Sequence, residues 1–298
     1  MTGSRTFARK VFSREFAGCL AVFASSLCFY MSTVVIRWSA FNVTINTASF
    51  VLTRFLIGFF IICGVMAIKK QSPVPEKYSL LFGRAAANFT AVYCFFKAVD
   101  LTTVAQANIL NMTYPVFIVL LTWIFLKDQR DIGAVGIVII AFSGVWLILA
   151  PNEMEFDLNN LWGLFSGITG AIAIFLLNIS RKYHDSETVL FYLFGAGSVF
   201  TYACFYDKIT VPNLHELVYL LGCSMFGIAG QYLMTFGFKY VTAVEGGIIS
   251  SSRILMAAIL GPIIAADPAL GVSGWTGAAL IFSANVVLTV RKSRPAKT

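Results

Sequence analysis

The sequence repeats DLTTVAQANILNMTYP (residues 100–115) in a looser form, YVTAVEGGIISSSRIL (residues 240–255), position for position. Nearer the front of each half, AGCLAVFASSLCFYMSTVVIRW (17–38) resembles WGLFSGITGAIAIFLLNISRKY (162–183). Identity is low in both pairs, but hydropathy, small residues and turn positions agree. Internal similarity at a long, fixed offset indicates a duplicated structural unit. The sequence therefore predicts two related halves.

The composition places these halves in a membrane. Of 298 residues, 58% are hydrophobic and 12% charged, and the mean hydropathy is +0.80. An average soluble domain has about 25% charged residues. Apolar segments of about 20 residues, the length that crosses a bilayer as a helix, recur along the whole chain. We predict an all-α polytopic membrane protein with ten transmembrane helices, over 15–36, 45–68, 78–99, 103–125, 131–150, 161–180, 187–206, 215–239, 243–264 and 271–290.

Each repeat holds five of these spans. Because five is odd, the second copy enters the membrane upside down relative to the first. A 5+5 inverted-topology repeat is typical of secondary transporters, whose substrate site lies between the halves near the midplane. The predicted segments are an N-terminal segment 1–14, a first repeat 15–150, a second repeat 161–290 and a tail 291–298.

The net charge of +8 follows from an uneven distribution of lysine and arginine over the loops. With the N-terminus inside, the loops on the outer side contain only Arg37 and Lys208, and the other loop cations lie inside. This is the positive-inside pattern, so we expect both termini in the cytoplasm and no nucleic-acid partner. The first apolar run is too long for a signal peptide and is predicted to be a retained span.

Three stretches resemble the EamA-like branch of the drug/metabolite transporter superfamily. They are NTASFVLTRFLIGFF (46–60), residues 93–149 with a short hairpin and a Tyr114-Pro115 pair, and, more loosely, residues 236–290. The resemblance implies ten helices around a central substrate cavity. Known members carry amino acids, nucleotide sugars, sugar phosphates, S-adenosylmethionine-like metabolites and drugs. Where the family often has a small residue and proline in the ninth span, this chain has Arg253-Ile254, and its proline comes at Pro262.

Arg253 is the foremost candidate site residue. It lies about ten residues into the ninth span, where a charged side chain is expensive and is expected to face a polar cavity. We expect its guanidinium to hold a carboxylate or phosphate by forked hydrogen bonds. The alternative is a structural pairing with Glu245 or with another polar neighbour, although Arg253 and Glu245 are about 12 Å apart along the helix axis. Glu245 itself is a candidate for proton coupling or cation binding, the alternative being a solvated residue at the inner mouth.

The fourth span is the symmetry mate of the ninth and supplies further candidates. Asn108 and Asn111 are three residues apart and are expected to share a helix face. With Tyr114 they are predicted to line the cavity opposite Ser251 and Arg253, the alternative being interhelical hydrogen bonds. Pro115 is expected to bend this span.

Three residues complete the predicted site. Arg54 lies mid-span in the second helix, with substrate contact and a structural or gating role as alternatives. Gln231 in the eighth span and Tyr93 in the third are further cavity candidates. Lys97 and Asp100, near the outer end of the third span, are expected to pair with each other or to extend towards the membrane surface rather than to bind substrate.

No sequence feature supports enzyme chemistry, a metal site or a cofactor. The chain has no phosphate-binding loop with lysine, and its two histidines have no ligand partners nearby. The favoured function is a secondary transporter or exchanger of a small zwitterionic or anionic metabolite such as an amino acid, working by alternating access. Its partners would be that metabolite, a coupling proton or counter-substrate, and the bilayer. Alternatives are a carrier of nucleotide sugars, S-adenosylmethionine-like or phosphorylated metabolites, and, in other classes, an intramembrane enzyme or a channel. We expect a monomer or homodimer in a bacterial inner membrane.

Overall fold

The protein is a bundle of α-helices, described by a computed structural model over residues 2–125, 132–149, 157–241 and 243–292, with side chains over 15–121, 136–148, 157–241, 246–247 and 249–287. No strand occurs among these residues. The helices are α1 Thr2–Ala40, α2 Thr47–Lys69, α3 Tyr78–Leu101, α4 Val104–Asn111, α5 Tyr114–Phe125, α6 Ile132–Leu149, α7 Asn160–Ser180, α8 Ser186–Phe205, α9 Leu214–Gly237, α10 Ala243–Ile264 and α11 Val272–Lys292.

These helices make ten membrane spans, because α4 and α5 follow each other within one. Among the described residues, six helices are long and apolar enough to cross a membrane, and shorter apolar helices occupy Gly136–Ile148, Ile249–Ile264 and Val272–Val287. The remaining span, α3, carries three charged residues, Arg84, Lys97 and Asp100. The ten predicted spans are confirmed, although α1 is longer than 15–36 at both ends.

Helix packing follows the predicted duplication. The two most extensive contacts are α1 with α9 and α3 with α7, which join the first span to the eighth and the third to the sixth. If the two halves are interchanged, the contact between the first and eighth spans becomes the contact between the sixth and third spans, so the two contacts are equivalent by symmetry. Equivalent helices also meet, α2 against α8 and α6 against α11. The fold is thus a 5+5 inverted repeat whose central helices come from both halves.

The fourth span is broken where the halves meet. Helix α4 ends at Asn111 and α5 begins at Tyr114, so Pro115 lies in the first turn of α5, where its missing N–H is tolerated. The Asn285 amide on α11 donates to the Met112 carbonyl at 3.0 Å. A Cβ at Gly167 of α7 would lie 2.9 Å from the Leu110 carbonyl, so α7 packs closely against the break. The predicted bend is confirmed and occurs just before Pro115.

Close glycine packing joins the last spans of the two halves. A Cβ at Gly144 of α6 would lie 2.8 Å from the Gly277 carbonyl, and the reverse distance is also 2.8 Å. The glycines therefore let α6 and α11 of the same chain approach each other.

The two ends of the bundle are held by ion pairs. We call the end where α1 begins and α11 ends the terminal side, and the other end the opposite side. On the opposite side, Arg37 Nε lies 3.0 Å from Asp267 Oδ1, and Asp267 also accepts the Val104 amide at 2.7 Å. On the terminal side, Lys69 pairs with Glu187. Each pair joins the first half of the chain to the second.

Candidate functional site

A cavity of about 80 Å³ lies in the middle of the bundle, between helices of both halves. Its lining is aromatic and aliphatic with a few polar groups, the composition typical of small-molecule sites. Phe29 comes from α1, Arg54 from α2, Asn88, Ala91, Val92 and Phe95 from α3, Asn111, Met112 and Tyr114 from the broken span, Gly170, Ala173 and Ile174 from α7, Gln231 and Met234 from α9, and Arg253 from α10.

Two guanidinium groups meet at one aromatic ring in this cavity. The Arg54 guanidinium carbon is 5.4 Å from the centroid of the Phe29 ring, and that of Arg253 is 5.7 Å from the same centroid. Arg54 also lies 5.7 Å from Phe96, and Arg253 lies 5.2 Å from Phe95. Cation–π contact within about 6 Å compensates part of the cost of burying a cation. The rings therefore position two positive charges without neutralising them.

The hydrogen bonding of these arginines is incomplete. Arg253 Nη2 donates to the Asn111 side-chain oxygen. The Nε atoms of both Arg54 and Arg253 are buried and have no hydrogen-bond partner among the described residues. Both side chains are buried, at 3% and 4% exposure. No carboxylate is found among the described residues that line the cavity.

An unpaired buried charge is costly because the interior cannot replace the lost hydration. Two such charges facing one cavity, each with an Nε that has no described acceptor, are chemically suited to hold an anionic group. The other polar lining groups suit the rest of a small solute. The Asn88 side-chain oxygen is buried and has no partner among the described residues.

The structure brings Arg253, Asn111, Tyr114, Arg54 and Gln231 together around this cavity, as predicted from the sequence. It does not bring the other three lining candidates there, and the reasons differ.

Asn108 is completely buried against α1, and its amide donates to the Thr33 hydroxyl at 3.2 Å and to the Val104 carbonyl at 2.8 Å. Ser251 donates to the Gly247 carbonyl at 2.9 Å and accepts from the Asn285 amide at 2.8 Å. The placement of both residues in the cavity was wrong, and the alternative of interhelical hydrogen bonding is correct.

Tyr93 also lies elsewhere. Its ring stacks on Phe205 at 4.4 Å between centroids and meets Trp162 edge-on at 6.1 Å. Successive positions on a helix are turned by about 100°, which directs Tyr93 away from the cavity that Val92 lines. The side chain of Glu245, the coupling candidate, lies outside the described residues. The predicted Lys97–Asp100 pair is confirmed at 3.1 Å.

Sequence reasoning missed several residues of the site and its surroundings. Phe29 and Phe95 were not distinguished from the many other phenylalanines, since their role depends on which helices meet. Arg84 was also missed, although a charge inside the third span was a usable signal. It is 2% exposed, and its Nη1 has no hydrogen-bond partner among the residues described.

A second, larger cavity of about 500 Å³ opens at the opposite side, between α1, α2 and α3. Its lining includes Arg37, Lys97 and Phe96. Phe96 also stacks under Arg54, which lines the central cavity. The larger cavity and the central cavity are therefore neighbours, and Phe96 lies between them.

The carboxylate of the ion pair at the opposite side is buried, which disfavours its charged form. The Asp267 side chain is fully buried, and burial raises the pKa of its carboxyl, with Arg37 and backbone amides acting in the other direction. Among the described residues, no cluster of three or more histidine, cysteine, aspartate or glutamate side chains is suited to hold a metal ion.

The model of the EamA-like transporter family matches residues 16–150 and again residues 158–290. The pseudopaline exporter CntI of Pseudomonas aeruginosa is 25% identical over 226 residues, covering 75% of this chain and 78% of that protein. The riboflavin transporter of Brucella anthropi is 22% identical over 222 residues, covering 72% and 78%.

A mouse relative, solute carrier family 35 member G1, is 31% identical over 191 residues, which is 59% of this chain and 51% of that protein. One solved crystal structure shares the fold, with a TM-score of 0.63 over 93% of this chain and 99% of its own, at 19% identity.

Proposed function

Because the chain belongs to the EamA-like transporter family of the drug/metabolite transporter superfamily, we propose that it is a secondary transporter of a small anionic solute. The observation that carries this proposal is the pair of buried guanidinium groups, Arg54 and Arg253, that face one cavity without a described carboxylate partner. A carboxylate or phosphate of the solute would supply the missing acceptors.

Geometry favours an anionic over a cationic solute. A guanidinium presents its N–H groups as a fork that matches carboxylate and phosphate oxygens. A zwitterionic solute such as an amino acid also fits, because its ammonium group would meet the Asn88 oxygen and the face of Phe95. Relatives named for exporting pseudopaline and for transporting riboflavin support a small organic solute. They do not agree on one substrate.

The solute enters by a rearrangement of the bundle. Sites for small organic ligands measure about 300–1,000 Å³, whereas the central cavity measures about 80 Å³. The two repeats, 15–150 and 161–290, would move against each other about this cavity. Opening one side separates Arg37 from Asp267, and opening the other separates Lys69 from Glu187. We assign the terminal side to the cytoplasm of a bacterial inner membrane, since most loop lysines and arginines lie there.

The test is the thermal stability of the purified, detergent-solubilised protein against a panel of metabolites. A ligand that binds the folded state raises its apparent stability by mass action. We expect carboxylates or phosphates to stabilise the wild type and the control Lys208→Gln, which loses an exposed charge near the opposite side. Arg253→Gln should lose this effect while remaining folded.

Stabilisation by the same anion in wild type and Arg253→Gln would contradict the proposed role of Arg253. Stabilisation by cationic metabolites alone would contradict the proposed solute class.

A further inference from the structure

Arg84 occupies an unusual position in α3. It is among the largest side chains that are almost completely buried, at 2% exposure, and one of its terminal nitrogens has no hydrogen-bond partner among the described residues. No ion pair of Arg84 with a carboxylate is found among the described residues. Its neighbour in sequence, Gly83, packs against α7, where a Cβ would lie 3.4 Å from the Leu176 side chain, and Arg181 follows the last residue of that helix. An arginine enclosed by helices without a carboxylate partner is a poor structural element. Its position therefore points to an anion that is absent from the protein itself.

Arg84 is continuous with the central cavity. Asn88 stands one helical turn further along α3, on the same helix face, and lines the cavity together with Phe95. Arg84 thus lies directly beneath the cavity, towards the terminal side. The polar face of α3 leads from that side to the two arginines around Phe29.

The arginines form a series with depth. Arg181 follows the last residue of α7 and lies at the terminal side. At a rise of about 1.5 Å per residue, Arg84 lies about 9 Å along α3 from its first residue, Arg253 about 15 Å along α10, and Arg54 about 22 Å from the terminal-side end of α2. The backbone positions of these arginines therefore differ in depth by steps of about 6–9 Å. A small anion can pass between such positions without leaving the influence of a cation.

We propose that Arg84 and Arg181 form a second anion-binding subsite, which the solute occupies between the central cavity and the terminal side. This proposal rests on the proposed transport of an anionic solute and adds a place on its route. Ser180 is completely buried next to Arg181, and its hydroxyl has no partner among the described residues. It is a further donor for the same anion. Because Arg84 is enclosed by helices, the anion is a soluble one and not a lipid headgroup.

The test compares the rates at which an anionic and a cationic thiol reagent reach this part of the route. In the full chain, Asn88→Cys places a thiol one turn above Arg84. Sealed vesicles with the terminal side outward are treated with two membrane-impermeant methanethiosulfonates of similar size, the anionic sulfonatoethyl and the cationic trimethylammonium-ethyl reagent. The parent chain, with its six native cysteines, gives the background. A single charge one helical turn away changes the ratio of the two rates on the order of tenfold in a watery path.

We expect the anionic reagent to react faster than the cationic one with Cys at position 88. Arg84→Gln should lower the ratio of the anionic to the cationic rate about tenfold. Arg84→Lys should keep most of the preference, and Lys208→Gln should leave it unchanged. If Arg84→Gln does not fold, Arg181→Gln tests the same subsite and should lower the ratio by a smaller factor.

A ratio that is unchanged in both Arg84→Gln and Arg181→Gln would overturn the subsite, as would a thiol that neither reagent reaches from the terminal side. Loss of the preference only after anionic phosphatidylglycerol is added would reassign the arginines to a lipid headgroup. These results are independent of the metabolite panel. If Arg253→Gln does not change the stabilisation by metabolites, the proposed solute site is wrong. The preference for the anionic reagent at position 88 is measured separately and still tests the subsite at Arg84.

Discussion

Cations at the two faces of the bundle differ from those in its interior. At the faces, three cations have carboxylate partners, in the pairs Arg37–Asp267, Lys69–Glu187 and Lys97–Asp100. In the interior, three arginines have no carboxylate partner among the described residues, Arg54, Arg84 and Arg253. Water solvates the partly exposed Lys69 and Lys97, so pairing contributes less there than it would to an enclosed arginine. This difference is the basis of the proposal that the interior charges bind a ligand.

Removing one cation from each region should have opposite effects on stability. Arg37→Gln leaves Asp267 as a buried carboxylate without its ion-pair partner, and we expect a loss of about 1–3 kcal/mol in the free energy of unfolding, reduced because Arg37 is partly exposed. Arg253→Gln removes an uncompensated charge and should leave that free energy unchanged or higher. Reversible denaturation in mixed micelles measures both. A larger loss for Arg253→Gln than for Arg37→Gln would show that Arg253 is structural.

An interior arginine that is given a carboxylate partner should behave like the paired cations at the faces and should bind an anionic solute more weakly. In Asn111→Asp, the new carboxylate replaces the side-chain oxygen that already accepts from Arg253. We expect the free protein to become more stable and the affinity for the anionic solute to fall about tenfold, since charge-assisted hydrogen bonds contribute about 1.5–3 kcal/mol. The matched control is Asn108→Asp, which lies outside the cavity. Unchanged affinity in Asn111→Asp would place the solute away from Arg253.

The buried pair at the opposite side should give the stability a pH dependence. The pKa of Asp267 is raised in the folded state by burial. Between its unfolded and folded pKa values the folded protein binds more protons, so this residue makes stability fall as the pH rises through that window. We expect the wild-type melting temperature, relative to Asp267→Asn, to decrease from about pH 4 upwards and then level off. The opposite slope would show that Arg37 outweighs burial.

The half-exposed pair at the terminal side should matter least. The Lys69 side chain is 46% exposed and that of Glu187 is 11% exposed, and ion pairs that reach water contribute about 0–1 kcal/mol. Glu187→Gln should therefore lower the free energy of unfolding by less than about 1 kcal/mol, and the exchange Lys69→Glu with Glu187→Lys should restore it. A loss of several kcal/mol would remove the distinction between faces and interior.

The sequence predicts the fold well because most spans are long apolar runs and the repeat sets the number of spans per half. It also predicts Arg253, since a charge in the middle of an apolar helix requires a polar environment. The bend before Pro115 and the Lys97–Asp100 pair follow from local chemistry, which acts within one turn of helix.

The rest of the site depends on helix rotation and on contacts between the halves. Asn108 and Asn111 are three residues apart, yet Asn108 faces α1 and Asn111 faces the cavity. Their side chains point about 60° apart around the helix. Because the cavity is narrow, this rotation is enough to place Asn111 in the cavity and Asn108 against α1. Phe29 acquires its role only because α2 and α10 bring their arginines to it. Arg84 is the exception, since its charge within a predicted span was visible in the sequence.

The proposed role of Arg253 is to recognise a negative charge on the solute. The most direct measurement is calorimetric binding of the stabilising solute and of its neutral amide to the wild type and to Arg253→Gln, a cycle that isolates the interaction between the two charges. We predict that the wild type binds the acid about 10–100-fold more tightly than the amide, and that Arg253→Gln binds both about equally. Equal discrimination by the two proteins would contradict the claim.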